Sequence, residues 1–261
     1  MISREHPSLL ALFGIGTAAL LGAVGLTGCG ESGEVVADAS GAREFILERS
    51  DPEAMSSPPE PQEPSCYATA HVRRAAMLHR KPGGEPWMRV AARTEWDSPR
   101  VLGVVQSKGG WLGVQAPELR NGEVGWLRPR KARLGCTAWS VHADLSKRKV
   151  VVRREGRAVR TMTVGIGRPA SPTPTGRFSV TDKLRWNEPG SLYGCCVLAL
   201  SGHQTKLPAD WPGGNRFAVH ASPDAASVGG AASLGCLRAT SRQARWLIET
   251  IPLGAPVFVR S

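Results

Sequence analysis

A thiol and an imidazole stand close together late in the chain, in Ala218-Val219-His220-Ala221 and Ala232-Ser233-Leu234-Gly235-Cys236-Leu237-Arg238, with fifteen residues between them. A cysteine attacks a carbonyl only as the thiolate, so it needs a base or a positive charge beside it. His220, at the end of the strand-like run Arg216–His220, is the candidate base. Gly235 puts no side chain just before the sulfur, which frees backbone N–H groups to face a developing oxyanion. Arg238 has the fork geometry to hold a carboxylate with two bonds, or to pin the loop. Spacing alone lifts the pair only slightly above a packing cysteine and a solvated histidine. Tyr193 and Trp211 are candidates for the cleft wall, although core or rim packing is their commoner use, and His203 reads as a structural histidine.

These residues need a scaffold, and the pattern from Ala138 to Arg260 supplies one. Trp139, Val141, Ala143 and Leu145 alternate with polar residues, and Lys149–Arg153 and Val159–Val164 continue as strands around a Glu155-Gly156 turn. Thr240–Ile251 is the one convincing helix: Ala244, Leu247, Ile248 and Ile251 share a face, Thr240 or Ser241 can cap it, and Gly254 is expected to stop it. Pro256–Val259 reads as a closing strand. Upstream, Arg89–Ala91, Val101–Val105, Trp111–Val114 and Gly125–Leu127 are short strands punctuated by Gly83-Gly84, Gly109-Gly110 and Asn121-Gly122. The expectation is a mostly β chain: a small β-module over 66–136, then a β-domain over 138–261 with one packed helix.

Three further stretches carry a resemblance. His220 with Ser233-x-Gly235-Cys236-x-Arg238, preceded by Gly165-Ile166-Gly167-Arg168-Pro169 and Pro172–Phe178 and followed by Pro252–Val257, resembles the L,D-transpeptidases of the YkuD-like family. The match runs from about Trp139 to Val259, with its landmarks in the family's order. It implies a β-sandwich in which Cys236 is the nucleophile, His220 the general base and acid, the backbone carbonyl of Ala221 the group that orients the imidazole, and Gly235 part of the oxyanion loop. Ser233, Arg238 and Tyr193 would then face the substrate. The implied reaction is attack on the diamino-acid carbonyl of a peptidoglycan stem tetrapeptide, release of D-Ala, and resolution of the acyl-enzyme by an amine or by water. The resemblance implies no cofactor and no metal, and carbapenems as acylating agents. Leu234 departs from the histidine or asparagine that many members carry there, which predicts sluggish turnover. The smaller module resembles bacterial SH3-like barrels in Gly109-Gly110-Trp111-Leu112 and Glu118–Trp126.

The beginning of the chain has a different character. A short polar start with Arg4 leads into the uncharged apolar run Ser8–Gly28, which ends in Leu26-Thr27-Gly28-Cys29. This is a signal-peptide pattern, with a membrane anchor as its competitor, and its end resembles a bacterial lipobox that would place a lipid on Cys29. Residues 29–65 are acidic and rich in Pro, Ser and Glu, too poor in apolar residues to form a core, and read as a stalk. The segment 30–65 carries −7 and everything after it +18, so the whole reaches +11. A basic body suits an anionic wall or lipid surface. Nucleic acid is set aside because no binding motif accompanies the charge. The expected location is the outer face of a bacterial cell membrane, with wall stem peptides as partners and the lipid as the membrane contact.

With Cys29 and Cys236 assigned, four cysteines remain and allow three pairings. Cys66 and Cys136 bracket the small module, where a crosslink helps a core that is too small alone, and their disulfide is the favoured one. Cys195-Cys196 can form a vicinal disulfide or stay reduced, and the sequence leaves both open. No zinc-ligand spacing occurs. The competing function is a non-catalytic, wall-binding lipoprotein.

Overall fold

A computed structural model describes residues 64–185, 188 and 190–261. The expected leader 1–28, Cys29 and the expected stalk as far as residue 63 lie outside the described residues. What is described forms one compact unit, mostly β with a single α-helix.

The first seven strands are β1 (Tyr67–His71), β2 (Ala76–His79), β3 (Pro86–Val90), β4 (Val101–Lys108), β5 (Trp111–Val114), β6 (Gly125–Leu127) and β7 (Arg133–Thr137). They make an antiparallel sheet in the order β3-β2-β6-β5-β4-β1-β7. Gly109 and Gly110, both at positive φ (55° and 75°), turn β4 into β5, as their position between two β runs predicts. Val72, Leu78, Val90, Leu102, Val114 and Leu127 are buried and form a separate small core. Such a core gains from a staple, and a disulfide joins Cys66 to Cys136 across a sequence separation of 70. Closing a loop of that length removes denatured-state entropy worth about 4 kcal/mol in the chain-entropy model.

The second group begins with β8 (Trp139–Asp144), β9 (Lys149–Arg154) and β10 (Arg157–Thr163), with β11 (Ile166–Gly167) after them. It continues with β12 (Gly176–Arg185), β13 (Cys196–His203), β14 (Arg216–Ala221), β15 (Ala231–Ser233), β16 (Leu237–Ala239), the helix α1 (Ser241–Thr250) and β17 (Pro256–Arg260). Eight of these strands form a mixed sheet in the order β10-β9-β8-β17-β12-β13-β14-β16, and β11 pairs with β15 in a parallel pair of its own. Phe178 and Phe217 meet edge to face at 5.3 Å in the core, which also takes Leu198, Val219 and Leu237.

The helix starts where its capping signals predict. Thr240 accepts from the Gln243 N–H, and the Gln243 side chain accepts from the Thr240 N–H, a reciprocal cap worth about 1 kcal/mol. Ala244, Leu247 and Ile248 enter the core, where each large aliphatic side chain contributes about 1.5–3 kcal/mol. Its end differs from expectation. The helix stops because Ile251 is extended (φ −82°, ψ 124°) ahead of Pro252, a position the α-conformation disfavours. Gly254 lies beyond the helix, and its N–H donates to Val180 O at 2.8 Å, tying the chain to β12 before β17 begins.

The two sheets pack closely. A Cβ on Gly103 of β4 would lie 2.1 Å from Ser179 Oγ of β12, so only glycine admits this approach. Asn121 donates to His203 O (2.7 Å) and accepts from His203 N (2.8 Å), imitating a strand pairing across the seam. The His203 ring meets Pro117 O and Asn215 Oδ1, which accounts for that histidine structurally.

Candidate active site

The parallel pairing of β14 with β16 sets His220 opposite Arg238 and Ala221 opposite Ala239. Because Cys236 immediately precedes β16, this register brings the thiol, the imidazole and the guanidinium to one end of the sheet. Cys236, His220, Arg238, Leu234 and Ser233 line a recess of about 140 Å³, with Leu192, Tyr193 and Trp211 completing the wall.

His220 is buried, and its Nδ1 lies 2.7 Å from the Ala221 carbonyl oxygen. A carbonyl only accepts, so Nδ1 carries the proton and Nε2 keeps its lone pair. Burial pulls the imidazole down to about 4; the bond to Ala221 opposes this and the charge of Arg238 adds to it. Burial likewise pushes the Cys236 thiol up to about 11, against smaller stabilising effects from the β14 backbone and from Arg238. Cys236 is nonetheless partly open to solvent. Both shifts favour the neutral forms of a thiol and an imidazole that share one recess. The Tyr193 ring stands edge-on to His220 at 5.1 Å, and burial, with the nearby Cys236 thiol wherever it ionises, raises its phenol above the ordinary value.

The loop before the thiol is shaped from within. Ser233 is 2% exposed; its hydroxyl donates to Cys236 O (2.6 Å) and accepts from Gly235 N (3.0 Å). Ser233 thus holds the loop from within while it also lines the recess, and the Gly235 N–H is engaged by Ser233 Oγ. What demands glycine at 235 is a φ of +118° together with Gln204, whose Nε2 would lie 2.0 Å from an added Cβ. Gln204 is buried, donating from Nε2 to Pro172 O (2.8 Å) and Leu234 O (3.0 Å) and accepting from Lys206 N (2.8 Å). No signal in the sequence marked Gln204, because an amide's value here comes wholly from two carbonyls distant along the chain.

The upstream glycine motif now has a physical role. Arg168 N donates to Ser233 O (2.9 Å), Gly165 and Arg238 exchange backbone bonds (2.7 and 2.9 Å), and Thr173 Oγ1 accepts from Gly167 N (2.9 Å). Residues 165–173 thus form the bed on which the Ser233–Arg238 loop lies. Arg238 Nε is buried with no hydrogen-bond partner among the described residues, while its side chain lines the recess. Cys195 and Cys196, left open by the sequence, form a vicinal disulfide at the start of β13. Among the described residues no three His, Cys, Asp or Glu side chains converge as metal ligands.

Residues 138–259 match the sequence profile of the L,D-transpeptidase catalytic domain, YkuD. L,D-transpeptidase 1 of Mycobacterium tuberculosis is 28% identical over 125 residues, covering 45% of this chain and 48% of that protein. A Bacillus subtilis protein named for YkuD is 23% identical over 121 residues, 46% of this chain and 65% of its own length. The chain thus spans less than two thirds of either relative. Among solved structures, an L,D-transpeptidase from Mycobacterium smegmatis is similar at 15% identity and a TM-score of 0.41, over 74% of this chain and 99% of that one. Residues 138–259 thus carry the sequence profile of an L,D-transpeptidase catalytic domain of the YkuD type.

Proposed function

We propose that this chain is a cysteine-dependent L,D-transpeptidase of bacterial peptidoglycan, with Cys236 as nucleophile and His220 as base. The observation that supports this most directly is that His220, with Nδ1 held by Ala221 O, shares one recess with the only free cysteine among the described residues. The Cys236 thiol attacks the carbonyl of the diamino acid at the third position of a stem tetrapeptide as His220 takes its proton. The tetrahedral intermediate collapses, the C–N bond to the terminal D-Ala breaks, and the imidazolium returns the proton to the leaving amine. An acceptor amine then displaces the thiol to give a 3→3 crosslink, or water does so to give a tripeptide. With the Gly235 N–H occupied, the Cys236 N–H is the backbone donor nearest the sulfur for the oxyanion, and Arg238 is the cation for a substrate carboxylate. In this reading the N-terminal sheet is an SH3-like module, and a lipid on Cys29 holds the enzyme at the outer face of the membrane.

The test is incubation of residues 64–261 with disaccharide tetrapeptide, followed by mass spectrometry for released D-Ala and for the 3→3 dimer. Cys236→Ala should abolish both products, and His220→Ala should cost about 10²–10⁴-fold. A carbapenem should add its mass to the Cys236 peptide. If wild type and Cys236→Ala are equally inert toward tetrapeptide and carbapenem, the catalytic reading fails and a wall-binding lipoprotein becomes the better account.

A further inference from the structure

Trp96 is a large apolar side chain left 37% exposed, yet the turn that presents it is tightly fixed. Thr94 Oγ1 accepts from Trp96 N (3.3 Å) and Ser98 N (3.1 Å), and Thr94 exchanges backbone bonds with Asp97 and Ser98. Arg93 pairs with Asp97 at 2.7 Å across the same turn. The turn belongs to the N-terminal sheet but is bolted to the catalytic one. The Thr94 hydroxyl donates to fully buried Asp182 of β12, and Glu95 pairs with Arg216 of β14. Arg216 also lies beneath the Trp96 ring, 5.0 Å from its centroid, and is itself held by Thr181 Oγ1 and Leu200 O, each at 2.8 Å. An aromatic ring so fixed and so little buried has an open face for a ligand.

That face closes a second recess of about 140 Å³, with Leu184, Tyr193, Val197, Ala199 and Ala218 as its other apolar walls. Val197, Ala199 and Ala218 are the same small cluster against which Cys236 packs. The thiol points toward this strand, with Sγ 3.9 Å from Arg216 O. Tyr193 belongs to both recesses. The nucleophile therefore has an apolar chamber beside it, walled in part by the other sheet.

We propose that this chamber is a substrate subsite for the small apolar side chain next to the scissile bond, and that Trp96 sets its size. The proposal rests on the L,D-transpeptidase reading. Of the two residues flanking the scissile bond in that reaction, the acyl side carries a polar amine and the departing side an alanine methyl, so the departing residue is the one an apolar chamber accepts. Apolar cavities of about 150 Å³ hold a benzene-sized group, so the chamber admits a methyl or a branched alkyl group, and a side chain larger than a benzene ring meets the indole.

The test uses tetrapeptides ending in D-Ala, D-Leu or D-Trp with wild type, Trp96→Ala and Trp96→Phe. Turnover is read as kcat/KM, and binding is read by calorimetry in a Cys236→Ala background. Opening the wall should raise the D-Trp to D-Ala ratio by about tenfold or more in Trp96→Ala, since even one methylene in an apolar pocket is worth about 10–200-fold. Trp96→Phe should shift it the same way by less, and covers the case in which the alanine variant does not fold. A ring that merely braced the seam would lower all three peptides equally. An unchanged ratio in folded variants, or no binding of any of the three peptides, overturns the subsite. A shifted binding ratio without turnover of any peptide would retain the subsite and refute the transpeptidase reading instead.

Discussion

The reactivity of Cys236 toward a small neutral alkylating agent offers the sharpest test of the site's electrostatics. Burial pushes the thiol up to about 11 from an ordinary 9.0, which leaves ~100-fold less thiolate at any pH below the ordinary value. A more basic thiolate is also the better nucleophile, with a Brønsted slope of about 0.4–0.5, which returns a factor of ~8. Iodoacetamide near neutral pH should therefore react ~10-fold more slowly with Cys236 than with an exposed cysteine. The logarithm of the rate should rise by about one per pH unit up to about pH 10, because only the thiolate reacts. His220 is held down at about 4 by burial, so the profile should show no inflection between pH 6 and 7. Carbapenem acylation should behave differently, staying nearly flat from about pH 5 to 9, because there the neutral imidazole removes the proton in the transition state. His220→Ala should slow acylation steeply and leave alkylation almost unchanged. Alkylation that reaches a plateau above about pH 6, faster than for an exposed cysteine, would reveal a resting thiolate–imidazolium pair and refute the argument from burial.

Gly235→Ala should misplace the loop, because the new Cβ meets Gln204 Nε2 at 2.0 Å and φ is +118°. Strain of about 1–3 kcal/mol, plus two weakened hydrogen bonds of about 1 kcal/mol each, should cost ~10²-fold or more in carbapenem acylation, and a loss under tenfold would contradict this. Cys29 should be the acylated first residue of the mature protein; the intact mass of membrane-extracted protein checks this, and a chain retaining residues 1–28 without acyl mass would indicate a membrane anchor.

Much of the scaffold was legible because its signals are local. Alternation over Trp139–Leu145, the Glu155-Gly156 turn and the helical face of Ala244, Leu247 and Ile248 each depend on residues a few positions apart. The central strands β12 and β13 were not legible. Cys196–Leu200 is buried on both faces, so it shows an apolar run and no period. The pairing of His220 with Cys236 was visible as two residue types on a recognisable motif. That the imidazole is neutral, and that its proton sits on Nδ1, follows from burial and from a carbonyl whose direction only the folded β14 defines.

Residue identity by itself determined which groups can do chemistry here: one thiol, one imidazole, one guanidinium, and glycines where backbone must pass closely. Tertiary structure decided which of those groups remain available to a substrate. It bonded the Ser233 hydroxyl to the loop backbone, engaged the Gly235 N–H, and enlisted Gln204 from another loop to hold Leu234. It also carried Trp96 from the N-terminal sheet to the wall beside Cys236 through Glu95, Arg216 and Asp182. Hydrogen-bond satisfaction and steric fit are settled between residues up to 121 positions apart, and no window of sequence holds both partners.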